Sequence, residues 1–348
     1  MTTVDFEQRA AAWRARSRTL AEAQPHLRAR ALAETIGISE AEWLAAGCGD
    51  TTAVALHGTP QEIFREIGTL GEVMALTRNP WCVHERHGRY EDIQATGPMG
   101  LVLGPDIDLR VFFSNWKWAW AVQQAGRHSL QFFDAEGVAV HKVYVTAATN
   151  RAAYDLLVER FAGEPVQPQP LPYPIAQDAG AVEDASAWRA AWLSMTDTHE
   201  FFPLLRRFKL SRLAALAAAG EDLAQRVPAD SVERMLLQAA ETGLSIMCFV
   251  GNRGLIQIHT GPVSTLRRTG DWYNVLDARF NLHLDTSAIA SVWVVNKPTR
   301  DGWVTSLEVY AASGDLIVQF FGARKPGQPE LPAWRALMSS LCSVALAV

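Results

Sequence analysis

One histidine of this sequence lies in a setting that suits ligand or metal binding. His199 stands in "MTDTHEFFPLL", residues 195–205, behind two threonines and an aspartate and before two phenylalanines. Pro203 has no backbone N–H to donate, so it predicts the first turn of a helix. The preceding "AVEDASAWRAAWLSM" predicts another helix, which leaves residues 196–201 as a polar turn. His199 should therefore project from a corner, although a capping or surface histidine is the more ordinary interpretation of the spacing alone.

The other histidines give weaker signals. His84 and His87, in "VHERHG", are three residues apart and would point to opposite faces of a strand, which disfavours a metal pair. His259 and His283 lie on predicted strands, where a hydrogen-bonded sheet residue is the more common interpretation.

Three basic residues of the second half are ordinary one by one. Arg212 begins a predicted helix, and Lys297 and Arg324 lie in predicted turns, where an exposed charge is usually only solvated. They would become functional if they converged with His199 around an anionic, apolar ligand. The sequence contains no GxxxxGK[ST], GxGxxG, GxSxG or HExxH motif, so the standard hydrolase, kinase and dehydrogenase signatures are absent.

Composition excludes several classes of protein. The 348 residues include 49% apolar and 20% charged residues, and the net charge is −5, which gives no general attraction to nucleic acid or anionic membrane. No apolar run is long enough to span a membrane, and no signal peptide is apparent. Four scattered cysteines favour reduced thiols in the cytoplasm. The "ALAETIGISEAEW" turn resembles a DNA-reading helix-turn-helix, but the net charge argues against that function.

The chain shows an internal duplication. A proline-rich stretch, "AGEPVQPQPLPYPIAQDAGA" (162–181), predicts an extended linker between halves of similar length. "IGISEAEWLAAG" (36–47) matches "FKLSRLAALAAA" (208–219), and "SLQFFDAEGVAVHKVY" (129–144) matches "SLEVYAASGDLIVQFF" (306–321). Several such matches in one order and at nearly constant offset predict an N-terminal repeat at 1–163, a linker at 164–181 and a C-terminal repeat at 182–348.

Each half has the same predicted order of elements. Short helices come first, a series of strand-like runs punctuated by Gly, Asn or Asp follows, and a helix closes the half. Grouped strands flanked by grouped helices predict an α+β fold. We therefore expect a tandem structural duplication in which each half is a large antiparallel β-sheet flanked by helices.

Longer motifs resemble a known family. The second half contains "MTDTHEFF", "FVGNRGLIQIHTGPV", "WYNVLDARFNLHL", "WVVNKPTRDGWVTSLEV" and "FFGARKPGQPE", and the first half contains "GPMGLVLG" and "IDLRVFFSNW". Over about residues 25–335 the chain resembles the cytoplasmic haemin-transport and haemin-degrading proteins of bacteria, of the HemS/ChuS/HmuS type. That family is itself a tandem duplication with large antiparallel sheets, in agreement with the repeat.

The resemblance implies roles for individual residues. The histidine of the "TDTH" motif is the proximal haem ligand, which is His199 here, and the arginine of "DLRVF" lies over the distal face, which is Arg110. Pro203 stands where the family has a small flexible residue, which would stiffen the turn. The other implied haem-binding residues are Phe112, Phe202, Arg212, Lys297, Gln319 and Arg324. Of these, the three cations would lie near the propionates or the haem edge.

Haem chemistry agrees with these residue types. Haem is an apolar plate with two carboxylates and a Lewis-acidic iron, so binding needs an imidazole, an apolar slot and cations at one edge. No CxxCH motif occurs, so the cofactor implied is non-covalent haem b. One strong ligand leaves the sixth position for water or O₂, with Arg110 as a hydrogen-bond donor. Because Arg110 belongs to the first half and His199 to the second, the haem is expected between the halves.

The resemblance leaves two functions open. In the first, the bound iron is reduced, O₂ or peroxide is activated, and the porphyrin ring opens to release iron. In the second, the protein is a carrier that delivers imported haem to a separate haem oxygenase without turnover. A regulatory module for another apolar anion is a third interpretation. The implied partners are haem, an inner-membrane haem importer, and a haem oxygenase or a reductant, without nucleic acid or membrane insertion; a homodimer is left open.

Overall fold

The computed structural model describes residues 3–173, 182–325 and 327–348. In the predicted linker, residues 164–173 form neither helix nor strand, and residues 174–181 lie outside the described residues. The chain divides into two compact units. The first unit comprises the chain up to Arg78, the chain from Glu85 to the linker, and Gly251–Gln257. The second unit comprises Asn79–His84, the chain from the linker to Val250, and Ile258–Val348. Each unit thus includes a short segment from the other side of the linker.

Helices flank the strands in both sequence halves. The helices are α1 (Thr3–Ala23), α2 (Ala29–Ile36), α3 (Glu40–Ala45), α4 (Pro60–Glu66), α5 (Arg151–Phe161), α6 (Ala185–Leu193), α7 (Phe201–Phe208), α8 (Arg212–Ala219), α9 (Ser231–Thr242) and α10 (Pro332–Leu341). No helix within the described ranges is both long and apolar enough to cross a membrane.

The strands alternate in burial, as expected for sheets with two different faces. In the first half they are β1 (Thr52–Ala55), β2 (Gly71–Arg78), β3 (Cys82–Gly88), β4 (Ile93–Thr96), β5 (Met99–Leu103), β6 (Asp108–Phe112), β7 (Trp118–Gln124), β8 (Arg127–Phe133) and β9 (Ala139–Thr149). In the second half they are β10 (Ala224–Val227), β11 (Ile246–Gly251), β12 (Leu255–Gly261), β13 (Leu266–Thr269), β14 (Trp272–Leu276), β15 (Phe280–Asp285), β16 (Ser291–Thr299), β17 (Gly302–Tyr310) and β18 (Leu316–Gly322).

The strands form two large sheets. In the first unit, antiparallel pairs join β1, β7, β8, β9 and β2 in that order, and β4, β5 and β6 form an antiparallel meander. The second unit repeats this pattern, with β10, β16, β17, β18 and β11 in order and a meander of β13, β14 and β15. The predicted α+β fold with a tandem duplication is confirmed.

Two layers cover the central strands of the second unit. Apolar side chains such as Val294 and Leu307 pack in one core with residues of α9 and α10. The opposite face carries Val295 and Tyr310, which pack with residues of α6, α7 and α8. Glu308 lies between Leu307 and Val309 on β17, so its side chain shares the face that α6–α8 cover.

Matching caps support the duplication at the level of local structure. The serines Ser39 and Ser211 accept hydrogen bonds at the starts of α3 and α8. The helices before them, α2 and α7, both end on a left-handed residue, Gly37 at φ 79° and Lys209 at φ 53°. A left-handed residue is a common way to end a helix and costs glycine least. The second copy therefore keeps this turn although a lysine occupies the left-handed position.

Candidate functional site

His199 lies in a short 3₁₀ turn, Thr198–Glu200, between α6 and α7. The carboxylate of Asp197 accepts the backbone N–H of His199 at 2.8 Å, and its Oδ1 lies 2.6 Å from His199 Nδ1. Thr196 donates its backbone N–H and its hydroxyl to the carboxylate of Glu200, at 3.2 and 2.9 Å. The turn thus satisfies its own polar groups, and the His199 side chain is 92% exposed.

The aspartate determines which imidazole nitrogen is available. A carboxylate only accepts hydrogen bonds, so in the neutral form of the His199 ring Nδ1 carries the proton and Nε2 carries the lone pair. The backbone N–H of His199 lowers the pKa of Asp197, and the His199 side chain and Arg324 lower it further. Asp197 is therefore ionised at neutral pH. A carboxylate at the far nitrogen of a histidine is the usual second partner of a metal-binding imidazole.

An open cleft of about 610 Å³ lies beside His199. Its other lining residues are Thr196, Asp197, Glu200, Pro203, Arg300 and Asp301. The backbone N–H of Arg300 donates to the carbonyl of Thr196 at 3.0 Å, which ties the segment after β16 to the turn. The volume falls within the range of roughly 300–1,000 Å³ that is usual for ligand pockets. The cleft therefore places an exposed imidazole and an exposed guanidinium beside one space of ligand size.

Arg324, which follows β18, adds a second guanidinium close to this cleft. Its side chain is 18% exposed and lies 3.5 Å from the carboxylate of Asp301. Its Nε is buried and has no hydrogen-bond partner among the described residues. The same aspartate also accepts the backbone N–H of Gly327 at 3.0 Å. Arg324 is therefore held near the cleft by a long ion pair with Asp301, while its Nε–H has no acceptor among the described residues.

Arg212 and Lys297 converge, but on a buried carboxylate. Arg212 donates from Nε to Glu308 Oε2 and from Nη2 to Glu308 Oε1, each at 2.9 Å, which makes a bidentate pair. Lys297 Nζ lies 3.0 Å from the same carboxylate, whose side chain is 0% exposed. Burial alone would raise the pKa of Glu308, but Arg212 and Lys297 hold it well below its usual value. Burial lowers the pKa of Lys297, and Glu308 opposes that effect.

Phe201 lies beneath these cations, at the first residue of α7. Lys297 Nζ is 4.4 Å and Arg212 Cζ is 5.3 Å from its ring centroid. The next residue, Phe202, is 61% exposed. Gln319 on β18 is half-buried and pairs with Glu308 across the β17–β18 ladder.

The remaining predicted residues lie in the first unit. Arg110 and Phe112 are alternate residues of β6, so their side chains share one face of the strand. Arg110 forms an ion pair with Asp108, and the pKa of Asp108 is raised by burial despite that pair. The structure thus brings His199, Arg324 and the cleft residues together in the second unit, and it describes Arg110 and Phe112 within the other unit.

Three residues of this region were missed from the sequence. Glu308 carried a signal, because in "SLEVY" a charge alternates with Leu307 and Val309 on a predicted strand. Phe201 carried none beyond its place after the motif. Arg300 carried none beyond its place in "NKPTRDGW". Within the described ranges, no group of three or more His, Cys, Asp or Glu residues could hold a metal ion.

Comparison with known proteins identifies the family. The model of the haemin-degrading HemS/ChuX domain matches residues 37–161 and again residues 209–341. The chain belongs to the haemin-degrading HemS/ChuX domain family. The double match confirms the predicted resemblance, and it agrees with the tandem repeat of the fold.

Members of the HemS/ChuX family resemble this chain over almost its whole length. It is 42% identical over 315 residues to the hemin transport protein HemS of Yersinia enterocolitica, across 88% of this chain and 90% of that protein. The crystal structure of apo-PhuS, a heme-binding protein from Pseudomonas aeruginosa, has a TM-score of 0.92 at 43% identity and covers 96% of this chain and 100% of that chain. The structure of ChuS, an E. coli heme oxygenase, has a TM-score of 0.85 at 37% identity and covers 94% and 99%.

Proposed function

We propose that this protein binds haem b non-covalently in the cytoplasm, with His199 as the axial ligand, and degrades it to release iron. The observation that carries the proposal is the exposed imidazole of His199, whose Nδ1 is held by Asp197 beside an open cleft. A neutral imidazole with a free Nε2 is the donor that haem iron takes in many proteins.

The donor set around the cleft fits haem in three respects. His199 supplies the imidazole, and Arg300 and Arg324 supply guanidinium groups that meet carboxylates well. Phe202 follows His199 by three residues and is 61% exposed, which offers an aromatic surface against which an apolar plate can pack. The sequence has no CxxCH motif, so covalent attachment is not expected.

The degradation of haem needs support beyond the geometry of the cleft. It is supported by the relationship to ChuS, which is named a heme oxygenase. Ring opening consumes O₂, and it requires electrons from a reductant that another molecule supplies. The distal role of Arg110, with Phe112 near it, is proposed from the family motif "DLRVF". Arg110 would donate a hydrogen bond on the haem face opposite His199.

A carrier is the second candidate function. The observation that favours it is the 92% exposure of His199, because an accessible ligand can exchange haem readily with another protein. The names of the relatives HemS, a hemin transport protein, and PhuS, a heme-binding protein, agree with such a role. The carrier would accept haem from an inner-membrane importer and pass it to a separate haem oxygenase.

One experiment separates the two functions. The protein is loaded with one equivalent of ferric haem without oxygen, and a reductant and then O₂ are added, with catalase present to remove free peroxide. Loss of the Soret band together with release of chelatable iron supports degradation. A stable Soret band that moves to an added apo haem oxygenase supports the carrier and contradicts degradation. A His199→Ala variant serves as the control, because haem that it holds only weakly reports the background reaction.

A further inference from the structure

Arg110 lies on the outer face of β6, opposite an apolar side chain. Along this strand Leu109 and Val111 are fully buried, so the alternate residues Arg110 and Phe112 lie on the other face. In the ladder with β5 the partner of Arg110 is Leu101, whose side chain has no hydrogen-bond acceptor. The guanidinium of Arg110 therefore needs an acceptor from another position.

Asp108 supplies that acceptor from the same strand, two residues earlier. Its Oδ1 accepts a hydrogen bond from Nη1 of Arg110, and the carbonyl of Leu109 accepts a second bond from the same nitrogen at 3.2 Å. Within the described residues, Nε and Nη2 of Arg110 have no hydrogen-bond partner and are available to a ligand. The side chains of Asp108 and Arg110 are 24% and 34% exposed, so the ion pair is partly shielded from water.

The second copy of the repeat fills this position differently. At the offset of 173 residues, His283 on β15 corresponds to Arg110, and Asn281 corresponds to Asp108. The Nδ1 of His283 lies 2.7 Å from Oδ1 of Asn274, which stands opposite it on β14. The second copy thus pairs its basic residue across the ladder, whereas the first copy pairs it along the strand with a carboxylate. The ion pair is therefore a feature of the copy that carries the predicted distal arginine.

We propose that Asp108 is a positioning residue for Arg110. An arginine side chain has many rotamers, and fixing it before the ligand arrives removes that entropic cost from binding. A donor that is already oriented also needs no rearrangement when it meets a charge. Asp108 would hold Nη1 of Arg110 and leave Nε and Nη2 for a ligand at the sixth position of the iron. This inference rests on the proposed function, in which Arg110 donates on the haem face opposite His199.

Fluoride binding to the ferric haem complex tests this role without turnover. Fluoride occupies the sixth position, where its affinity depends on nearby hydrogen-bond donors. Arg110→Ala should weaken fluoride binding about ten- to a hundredfold, because a hydrogen bond from a charged group is lost. Asp108→Ala should weaken it about fivefold, the upper limit usual for a partly exposed ion pair. Asp108→Asn keeps an acceptor for Nη1 and should weaken it less. Absorption titrations at one fixed pH give the dissociation constants.

The sign of the effect separates positioning from simple charge. Removing a carboxylate leaves the guanidinium less neutralised, so electrostatics alone would make Asp108→Ala bind fluoride more tightly. In an Arg110→Ala background, the positioning role predicts that Asp108→Ala causes no further loss. Asp106→Ala is the matched control, because its ion pair, with Arg86 at 2.6 Å, involves neither Asp108 nor Arg110. The control should keep its fluoride affinity within about twofold of the wild type.

Fluoride affinity that is unchanged or higher in Asp108→Ala would overturn the positioning role. An equal loss from Asp108→Ala with and without the Arg110 side chain would overturn it as well. If Asp108→Ala does not fold, Asp108→Asn carries the same test with the same sign. Unchanged fluoride affinity in Arg110→Ala would refute the distal role in the proposed function, and this inference with it. A loss in Arg110→Ala alone would overturn the inference and leave the proposed function standing.

Discussion

Replacing Asp197 with asparagine tests the ligand chemistry of His199 most directly. Asparagine is nearly the same shape and is an equally good helix N-cap, so the bond to the His199 backbone N–H should survive. What the Asp197→Asn variant loses is the negative charge 2.6 Å from Nδ1. A charged acceptor at that nitrogen makes Nε2 more basic and keeps the ring oriented. The substitution should therefore weaken the bond between His199 and the haem iron.

The expected magnitude follows from the exposure of the pair. Such outer partners typically contribute ten- to a hundredfold to metal affinity. The side chains of Asp197 and His199 are 60% and 92% exposed, so solvent screening places the effect at the lower end. We expect about tenfold weaker haem binding, which corresponds to about 1.4 kcal/mol.

Two measurements check this value. Titration with ferric haem gives the affinity, and resonance Raman spectra of the ferrous complex give the iron–histidine stretching frequency, which should fall. Asp301→Asn is the control, because Asp301 lines the same cleft but contacts Arg324 and Gly327. Equal effects of the two substitutions, or an unchanged stretching frequency in Asp197→Asn, would refute the assigned role of Asp197.

Four further outcomes are expected. His199→Ala should lose the Soret spectrum of a single-histidine haem, and an unaltered spectrum and affinity would show that the axial assignment is wrong. Arg110→Ala should keep that spectrum but shift the pKa of a water bound at the sixth position of the iron. It should slow O₂-dependent haem loss about ten- to a hundredfold, because a hydrogen bond to a charged group contributes roughly 1.5–3 kcal/mol, and it should change haem affinity much less. Titration should give one strongly bound haem per chain, and two equivalent haems would contradict this. Glu308 has a lowered pKa in the folded state, so its stabilising effect is complete above its unfolded pKa of about 4.3 and is lost progressively as the pH falls from there toward the folded-state pKa. The difference in unfolding free energy between the wild type and Glu308→Gln should therefore shrink in urea titrations from pH 7 to pH 3.

The fold could be predicted because its signals are local and repeated. The offset matches depend on short stretches such as "IGISEAEW" and "FKLSRLAA", whose serines cap α3 and α8 in the structure. The polar turn around His199 was predicted in the same way, since Pro203 and the helix before it restrict the backbone. The exchanged segments 79–84 and 251–257 were not predicted. Their assignment depends on contacts between residues far apart in sequence, which no local pattern reports.

The convergence of charges in the second unit illustrates the same limit. Arg212 and Glu308 are 96 residues apart, and Lys297 meets Glu308 only through the register of β16 and β17. A shift of one residue in that register would turn Glu308 to the other face, toward the apolar core. The family resemblance placed Arg212 and Lys297 near the propionates or the haem edge, and no local pattern pointed to the carboxylate of Glu308 that pairs with them. The structure shows both cations paired with Glu308, and their direct contact with a ligand stays a prediction.

The two copies of the repeat carry similar turns, yet one strong haem site is expected. Leu27 donates its backbone N–H to the carbonyl of Gln24 at 3.1 Å, and Glu200 donates to Asp197 in the same way at 3.1 Å. At this register, an offset of 173 residues, His26 is the counterpart of His199, and like His199 it is exposed. The residue that corresponds to Asp197 is Gln24, whose neutral amide cannot supply the charge that makes an imidazole a stronger donor. Both copies thus keep a histidine on an outward turn, and among the described residues it is the second copy that pairs this histidine with an anion. The charge at Asp197, rather than the histidine by itself, distinguishes the proposed ligand site from its duplicate.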